Sequence, residues 1–526
     1  MNPSGSSDRS AERIGKIFVL FLMIAALALA GKKFIMPYFN SQIVEKTSTK
    51  SIYRKEIRIA HDSFLGYAVL RSEDVFKEMS SKGVLLSFEN DEANYQKRIE
   101  MLRDGKVDLA VFTIDAYIKS ASVTGGDFPG SIIAVIDETV GADAIVSYKS
   151  TIPALPDLND PGVKFVFTPD SPSETLARIL KADFNLPLLS AKWYETANGA
   201  EDVYKKLSQN PGRKEAYVLW EPYVSKALEN SAIQILFDSS KVRGYIVDVL
   251  IANRKFLINE PDLLNDLLKS YFKALYHYQS SPDLLTDLLV HDAKNQNQPL
   301  TRDQAIVISR KISWKNTLEN YAHFGILKQK TSLLHLEDMI RNITGVLIQT
   351  NGISKDPTQG NVATIFFDGC LKSLQQENFH PARKLNIVAD GTSSSEEILA
   401  EQEPLRELTD EQWSQLVTLG ELRVEQIAFG RGNAEITVSS RLYLDNLAER
   451  LKTYPYYYLK VVGHSMAIGD RDANLALSSN RAKAAADYLQ QHGVSPQRLR
   501  SIGAEPAAGT GGSAQSVTFE LLQMAY

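Results

Sequence analysis

Residues 84–112 read VLLSFENDEANYQKRIEMLRDGKVDLAVF. Two runs rich in β-formers, 84–88 and 107–112, flank a segment in which Tyr95, Ile99 and Leu102 recur at i, i+4 and i+7, the period of one apolar helix face. A strand, a helix and a second strand make the crossover unit of a parallel sheet, so this stretch predicts α/β architecture. The alternation continues outward. Strands are predicted at 57–60 and 132–136. A second set follows: a strand at 163–167, a helix opening at Ser171-Pro172-Ser173-Glu174, and strands at 216–219 and 233–237. Two α/β sets in succession predict two lobes with a cleft, and ligands of open sheets lie beyond the carboxyl ends of strands.

Composition narrows the function classes. The 526 residues are 44% hydrophobic and 23% charged, a globular composition, and at roughly 150 residues per domain they predict several units. The net charge of −5 leaves no basic surplus for a counterion-driven grip on nucleic acid, so none is expected as a partner. Cys370, the single cysteine, excludes an internal disulfide and a CxxC site, and the eight histidines show neither HxH nor HExxH spacing. No metal and no cofactor are expected. Neither a Walker loop nor a GxSxG elbow is present, so catalysis is not expected either.

The geometry of such a cleft selects candidate ligand-binding residues: Asp62 and Thr113 at strand ends, Tyr67 in a loop, Ser171, Ser173 and Glu174 at the helix opening, and Trp220 after a strand. Free N–H groups at a helix start favour an anion. Plainer roles stay open: Ser171 or Ser173 as an N-cap, Trp220 as a core residue, Asp143 as a loop or hinge residue.

Residues 102–111 (LRDGKVDLAV), 137–146 (DETVGADAIV), 155–158 (LPDL), 220–222 (WEP) and 256–262 (FLINEPD) resemble, in this order, motifs of the nitrate/sulfonate/taurine class of periplasmic solute-binding proteins. The resemblance implies a two-lobed Venus-flytrap domain closing on a small anionic or zwitterionic solute, with an ABC permease or a signalling complex as partner. A pyrimidine-synthase branch of that superfamily needs a cysteine-rich cluster, which a chain with one cysteine lacks.

At the N-terminus, residues 17–30 are fourteen consecutive apolar residues, and the run reaches Met36 if Lys32 and Lys33 snorkel. This predicts an uncleaved transmembrane anchor at 17–36 behind a cytoplasmic tail at 1–16; Ala28-Leu29-Ala30 leaves a removed signal peptide open. Residues 350–360 predict a loop and 363–375 a helix with Cys370 as filler. Residues 391–411, Gly/Ser-rich and then acidic, predict a tether, with Thr409 opening a capped helix.

Beyond it, a bulged strand at 422–429, a helical stripe of Leu444, Leu447 and Leu451, a strand at 459–461, a helix through Leu475, Ala482, Ala486 and Leu489, and strands at 499–502 and 517–521 make a βαβαββ order, an α+β domain. VVGH at 461–464, NLALSSNRA at 474–482 and GVSPQRL at 493–499 resemble the OmpA-like, peptidoglycan-associated domain. The resemblance implies an Arg and an Asp that grip diaminopimelate by charge-assisted bonds. Arg481 stands at the Arg position, with Asn474 near it. Met466 stands at the Asp position and Ala514-Gln515-Ser516-Val517 replaces the family's Asn-Arg-Arg-Val, so peptidoglycan binding is expected to be weakened. Asn474 and Ser478 have the alternative of capping the helix. The expected order is therefore tail (1–16), anchor (17–36), solute-binding-protein-like domain (55–345), helical extension and acidic linker (346–418) and OmpA-like domain (419–526). The bulk would lie in the periplasm of a bacterial envelope, anchored to the inner membrane, as a receptor or, alternatively, as a structural envelope adaptor.

Overall fold

The computed structural model describes residues 53–327, 333–381, 405–506 and 516–524. With strands numbered along the chain, the first lobe carries β1 (Lys55–His61), β2 (Val84–Asn90), β3 (Leu109–Thr113), β4 (Gly130–Thr139), β10 (Val247–Asn253) and β11 (Ile312–Trp314). Their spatial order is β11-β4-β10-β3-β1-β2. The second lobe holds β5 (Asp143–Tyr148), β6 (Lys164–Phe167), β7 (Tyr194–Thr196), β8 (Glu215–Trp220) and β9 (Ile233–Asp238), in the order β7-β6-β8-β5-β9. The predicted α/β pattern and its two sets are both present.

Burial explains these strands. All ten residues of β4 and all seven of β10 are buried, as expected where helices cover both faces of a sheet. The crossover helix Tyr95–Arg103 buries Tyr95, Ile99 and Leu102, and the Asn94 side chain caps it by accepting from the Lys97 N–H at 3.0 Å. Strand β10, which was not predicted, lies antiparallel between β3 and β4.

The chain passes between the lobes twice, from β4 into β5 and from β9 into β10. Behind these crossings the lobes are stitched together. Lys119, on helix Ile114–Val123, pairs with Glu174 on helix Pro172–Asp183 at 2.6 Å, and Thr175 donates to Asp115 at 2.5 Å. A third helix, Leu336–Gln349, packs against both.

The C-terminal unit is a four-stranded sheet, order β12-β15-β13-β14, from β12 (Val417–Glu421), β13 (Tyr458–Gly463), β14 (Leu499–Gly503) and β15 (Val517–Gln523), with helices Val438–Leu451 and Arg471–Gln491. This is the predicted βαβαββ order. Gly463 is required where the long helix lies on β13: a Cβ there would stand 1.9 Å from the Ser478 carbonyl oxygen. The predicted strand at 422–429 is corrected. The strand is β12, ending at Glu421, because Val417–Glu421 pairs with β15, whereas Phe429 makes only an isolated bridge to Ile436.

This unit docks on the second lobe through residues 183–185. The Tyr454 hydroxyl donates to the Asp183 carboxyl at 2.5 Å, the Arg423 N–H to the Asp183 carbonyl at 2.7 Å, and the Asn185 N–H to the Glu421 carbonyl at 2.9 Å. The Phe184 ring meets Tyr454 edge-on.

Helix Asp410–Ser414 opens with the expected Thr409–Gln412 capping box. The predicted helix at 363–375 is instead a 3₁₀ turn, Val362–Ile365, followed by helix Gly369–Gln376, in which Cys370 is buried. Burial pushes its thiol up to about 11, so it is inert packing. The anchor at 17–36 and most of the predicted tether lie outside the described residues. No helix among the described residues is long and apolar enough to cross a membrane.

Candidate functional site

A cleft of about 610 Å³ opens between the two lobes, within the range of small-molecule sites. Its lining includes Asp62, Tyr67, Thr113, Ser171 and Trp220 of the sequence-selected residues, and excludes Ser173 and Glu174. The two crossings also carry carboxyls into it. Asp143 is the first residue of β5, and Asp248 is the second of β10, opposite both Asp137 of β4 and Thr113 of β3.

Each wall has a distinct chemistry. Asp62, at the end of β1, accepts from the Phe64 N–H and from Arg98, both at 2.9 Å. Arg98 is fully buried; it also binds Asp91 through two N–H groups and donates to the Val111 carbonyl at 2.6 Å. Its guanidinium lies 4.8 Å from the centre of the Tyr95 ring. The Tyr67 hydroxyl donates to Asp248, and the Thr139 hydroxyl donates to Asp143 at 3.1 Å. The Thr113 hydroxyl is buried on the wall, beside the Asp115 carboxyl. Trp220 ends β8 half-buried and packs against the second lobe's core while lining the cleft, so the two roles left open for it coexist.

Burial raises the Asp143 carboxyl to about 7, aided by the like charges of Asp115 and Glu221 and opposed by the Thr139 hydrogen bond. Burial also raises Asp248 and Asp137 far above the usual carboxylate range, and each is pushed further by neighbouring carboxylates.

The helix opening behaves differently from the expectation of an anion site. Ser171 is the N-cap residue, but its hydroxyl donates to the Thr168 carbonyl at 2.7 Å instead of capping. Ser173 is fully buried, away from the cleft, without a side-chain partner among the described residues. Glu174 accepts from the Asp170 N–H at 2.7 Å and pairs with Lys119 and Arg178, each at 2.6 Å. Burial pushes its pKa up, yet Lys119 and Arg178 hold it below the usual value. The negative charge favoured at a helix start is thus already supplied by the protein, and Glu174 belongs to the inter-lobe stitching.

In the C-terminal unit Arg481 is buried. Its Nε donates to the Asn433 carbonyl at 3.2 Å, its guanidinium stands 5.3 Å from the Phe429 ring centre, and Nη1 has no partner. Arg481 makes no ion pair among the described residues, and burial lowers its pKa. Asn474 does not cap the helix: the cap is Asp470, which accepts from the Ala473 N–H at 2.8 Å, while Asn474 donates to the Ile468 carbonyl at 2.8 Å. Ser478 is likewise two turns inside, donating to the Leu475 carbonyl.

Residues 428–515 match the OmpA family. The chain is 37% identical over 78 residues to a peptidoglycan-associated lipoprotein of Rhizobium meliloti, covering 15% of this chain and 44% of that protein. The chain thus spans less than half the length of this curated relative. In three dimensions the chain is similar to the periplasmic aliphatic sulphonate binding protein SsuA from Escherichia coli, at 14% identity and TM-score 0.45, over 60% of this chain and 92% of that one. It is also similar to the desulfurization enzyme DSZB, at 10% identity and TM-score 0.40, over 62% of this chain and all of the other.

Sequence reasoning passed over Asp248, Asp137 and Arg98. A signal existed for the first two: Asp137 closes the apolar β-run IIAVI at 132–136, and Asp248 is a lone acid within VDVLI at 247–251.

Proposed function

We propose that this protein is a solute receptor of the bacterial envelope, held near the cell wall and delivering a small molecule, or news of it, to a membrane partner such as an ABC permease or signalling complex. The observation that carries this reading is the cleft of about 610 Å³ whose polar groups converge at the two lobe crossings. An OmpA-like domain docked on one of those lobes supports placement between membrane and wall, with the segment 17–36 as anchor. The ligand must bind the closed lobes better than the open ones for the signal to pass. Asp62, Tyr67, Thr113, Ser171 and Trp220 are the proposed ligand contacts, joined by Asp143 and Asp248.

Met466 favours a second reading for the OmpA-like domain: without a carboxylate at that position it serves as a protein-contact module, and Arg481 and Asn474 grip peptidoglycan weakly. A thermal-shift screen of the full chain against charged and neutral small solutes, with a parallel pull-down on murein sacculi, tests both parts. A solute that raises the melting temperature supports the receptor. No shift with any solute, together with retention on sacculi or on envelope proteins, would replace it by a structural adaptor.

A further inference from the structure

The charge of the cleft is one-sided. Its described lining contains Asp62, Glu92, Asp143, Glu201, Glu221 and Asp248, and no lysine, arginine or histidine. Three of these acids are neutralised from behind: Asp62 by Arg98, Glu201 by Lys205 and Glu221 by Lys311. Glu92 is exposed to solvent. Asp143 and Asp248 differ. They are 3% and 1% exposed, each accepts one hydroxyl hydrogen bond, and neither forms an ion pair among the described residues. Behind Asp248, its cross-strand partner Asp137 is fully buried and neither of its carboxyl oxygens has a partner. Buried carboxyls ionised without a counter-charge are costly; Asp137 has Lys315 nearby, whereas Asp143 and Asp248, on the cleft wall, would find theirs in a cation that enters the cleft.

Aromatic rings surround that place. Phe64, Tyr67, Tyr95, Trp220 and Tyr223 all line the cleft. The protein's own cations already lie over Tyr67, Tyr95 and Tyr223, from Arg71, Arg98 and Lys226. Phe64 and Trp220, both half-buried and lining the cleft, have no protein cation over their rings among the described residues, and such rings attract a ligand cation. An anion would face two uncompensated carboxyls and a helix start already occupied by Glu174.

We propose that the cleft binds a small organic cation, an amine or quaternary ammonium compound, whose charge is met by Asp143 and Asp248 and whose body lies against Trp220 and Phe64. This deepens the receptor reading and rests on it. It departs from the anionic solute that the sequence suggested and keeps a zwitterion only through its ammonium end.

The test is calorimetric titration of the full chain with choline, putrescine, ethanesulfonate, nitrate and calcium. The expected result is binding of choline or putrescine at least tenfold tighter than of either anion. Asp143→Asn and Asp248→Asn should each weaken it at least tenfold while melting no lower than the parent, because each removes a buried uncompensated carboxyl. Trp220→Leu, on the opposite chemistry of the same site, should weaken the cation independently. Binding of ethanesulfonate or nitrate with none of the cations, or calcium binding that both Asn variants abolish in the absence of any amine binding, would overturn the inference and leave the receptor reading standing. Failure of every probe would overturn both.

Discussion

The cleft and the OmpA-like domain each hold half of a charge pair. Among the described residues, Asp143 and Asp248 in the cleft are buried carboxyls without an ion-pair partner, and Arg481 in the OmpA-like domain is a buried guanidinium without one. The contrast lies in what surrounds them. Asp143 and Asp248 share the cleft lining with Phe64, Tyr67, Tyr95, Trp220 and Tyr223, the rings that would hold the proposed cation. In the proposed peptidoglycan grip of Arg481, the position of the opposite charge is held by Met466, which leaves one half of that grip. Arg98, held by Asp62 and Asp91, is the contrasting case of a buried charge whose partners the protein itself supplies.

That third case gives the largest expected effect. Arg98→Met would strand two carboxyls in the core, and breaking a buried pair costs ~3–5 kcal/mol; chemical denaturation should register a loss of that size. If Arg98→Met costs no more than Asp143→Asn, the distinction between paired and unpaired charges falls. Next comes repair of the other half-pair. One charge-assisted bond contributes roughly 1.5–3 kcal/mol, so Met466→Asp should raise retention on muropeptide resin about tenfold or more, and Arg481→Ala should cancel the gain. Equal retention of parent and variant would mean that the pocket no longer reads diaminopimelate.

The pH dependence follows from Asp143, which faces Asp115, Glu221 and the Thr139 hydroxyl, with Lys311 engaged by Glu221. Its folded value of about 7 lies above the ordinary 3.8, so the folded state holds a proton that the unfolded chain has lost. Through Asp143 the ligand-free protein should therefore lose stability as pH rises from about 4 to about 7, and Asp137 and Asp248, raised in the same direction, add to the loss. Thermal melts across that range check this, and Asp143→Asn should flatten the slope. The smallest effect concerns the docking of the two regions: Tyr454→Phe removes one hydrogen bond to Asp183, worth about 1 kcal/mol. It should lower the thermal stability of the full chain by about that amount without changing ligand affinity.

Much of the fold was legible because buried strands and amphipathic helices write themselves into sequence as periodicity. Tyr95, Ile99 and Leu102 marked a helix, and Leu444, Leu447 and Leu451 marked another. The site was less legible for a physical reason. Strand ends such as Asp62 and Thr113 can be placed from local pattern, but the cleft floor joins β4, β5 and β10, and β10 pairs with partners more than a hundred residues earlier. Its lone Asp248 gained meaning only once it stood opposite Asp137. The same holds for Ser173 and Glu174, which local pattern set at a ligand-facing helix start. Glu174 turned inward because Lys119 of the other lobe meets it there. The helix breaks around Phe366 and the strand ending at Glu421 were set by pairing with β4 and β15, which no local window contains.

The most direct measurement of the central claim is the proton count on binding. Near pH 6.5, titration of the full chain with choline or putrescine in buffers of different ionisation enthalpy should show net proton release, as the arriving cation drives Asp143 to its charged form. Binding with proton uptake, or with a heat that does not change from buffer to buffer, would contradict it.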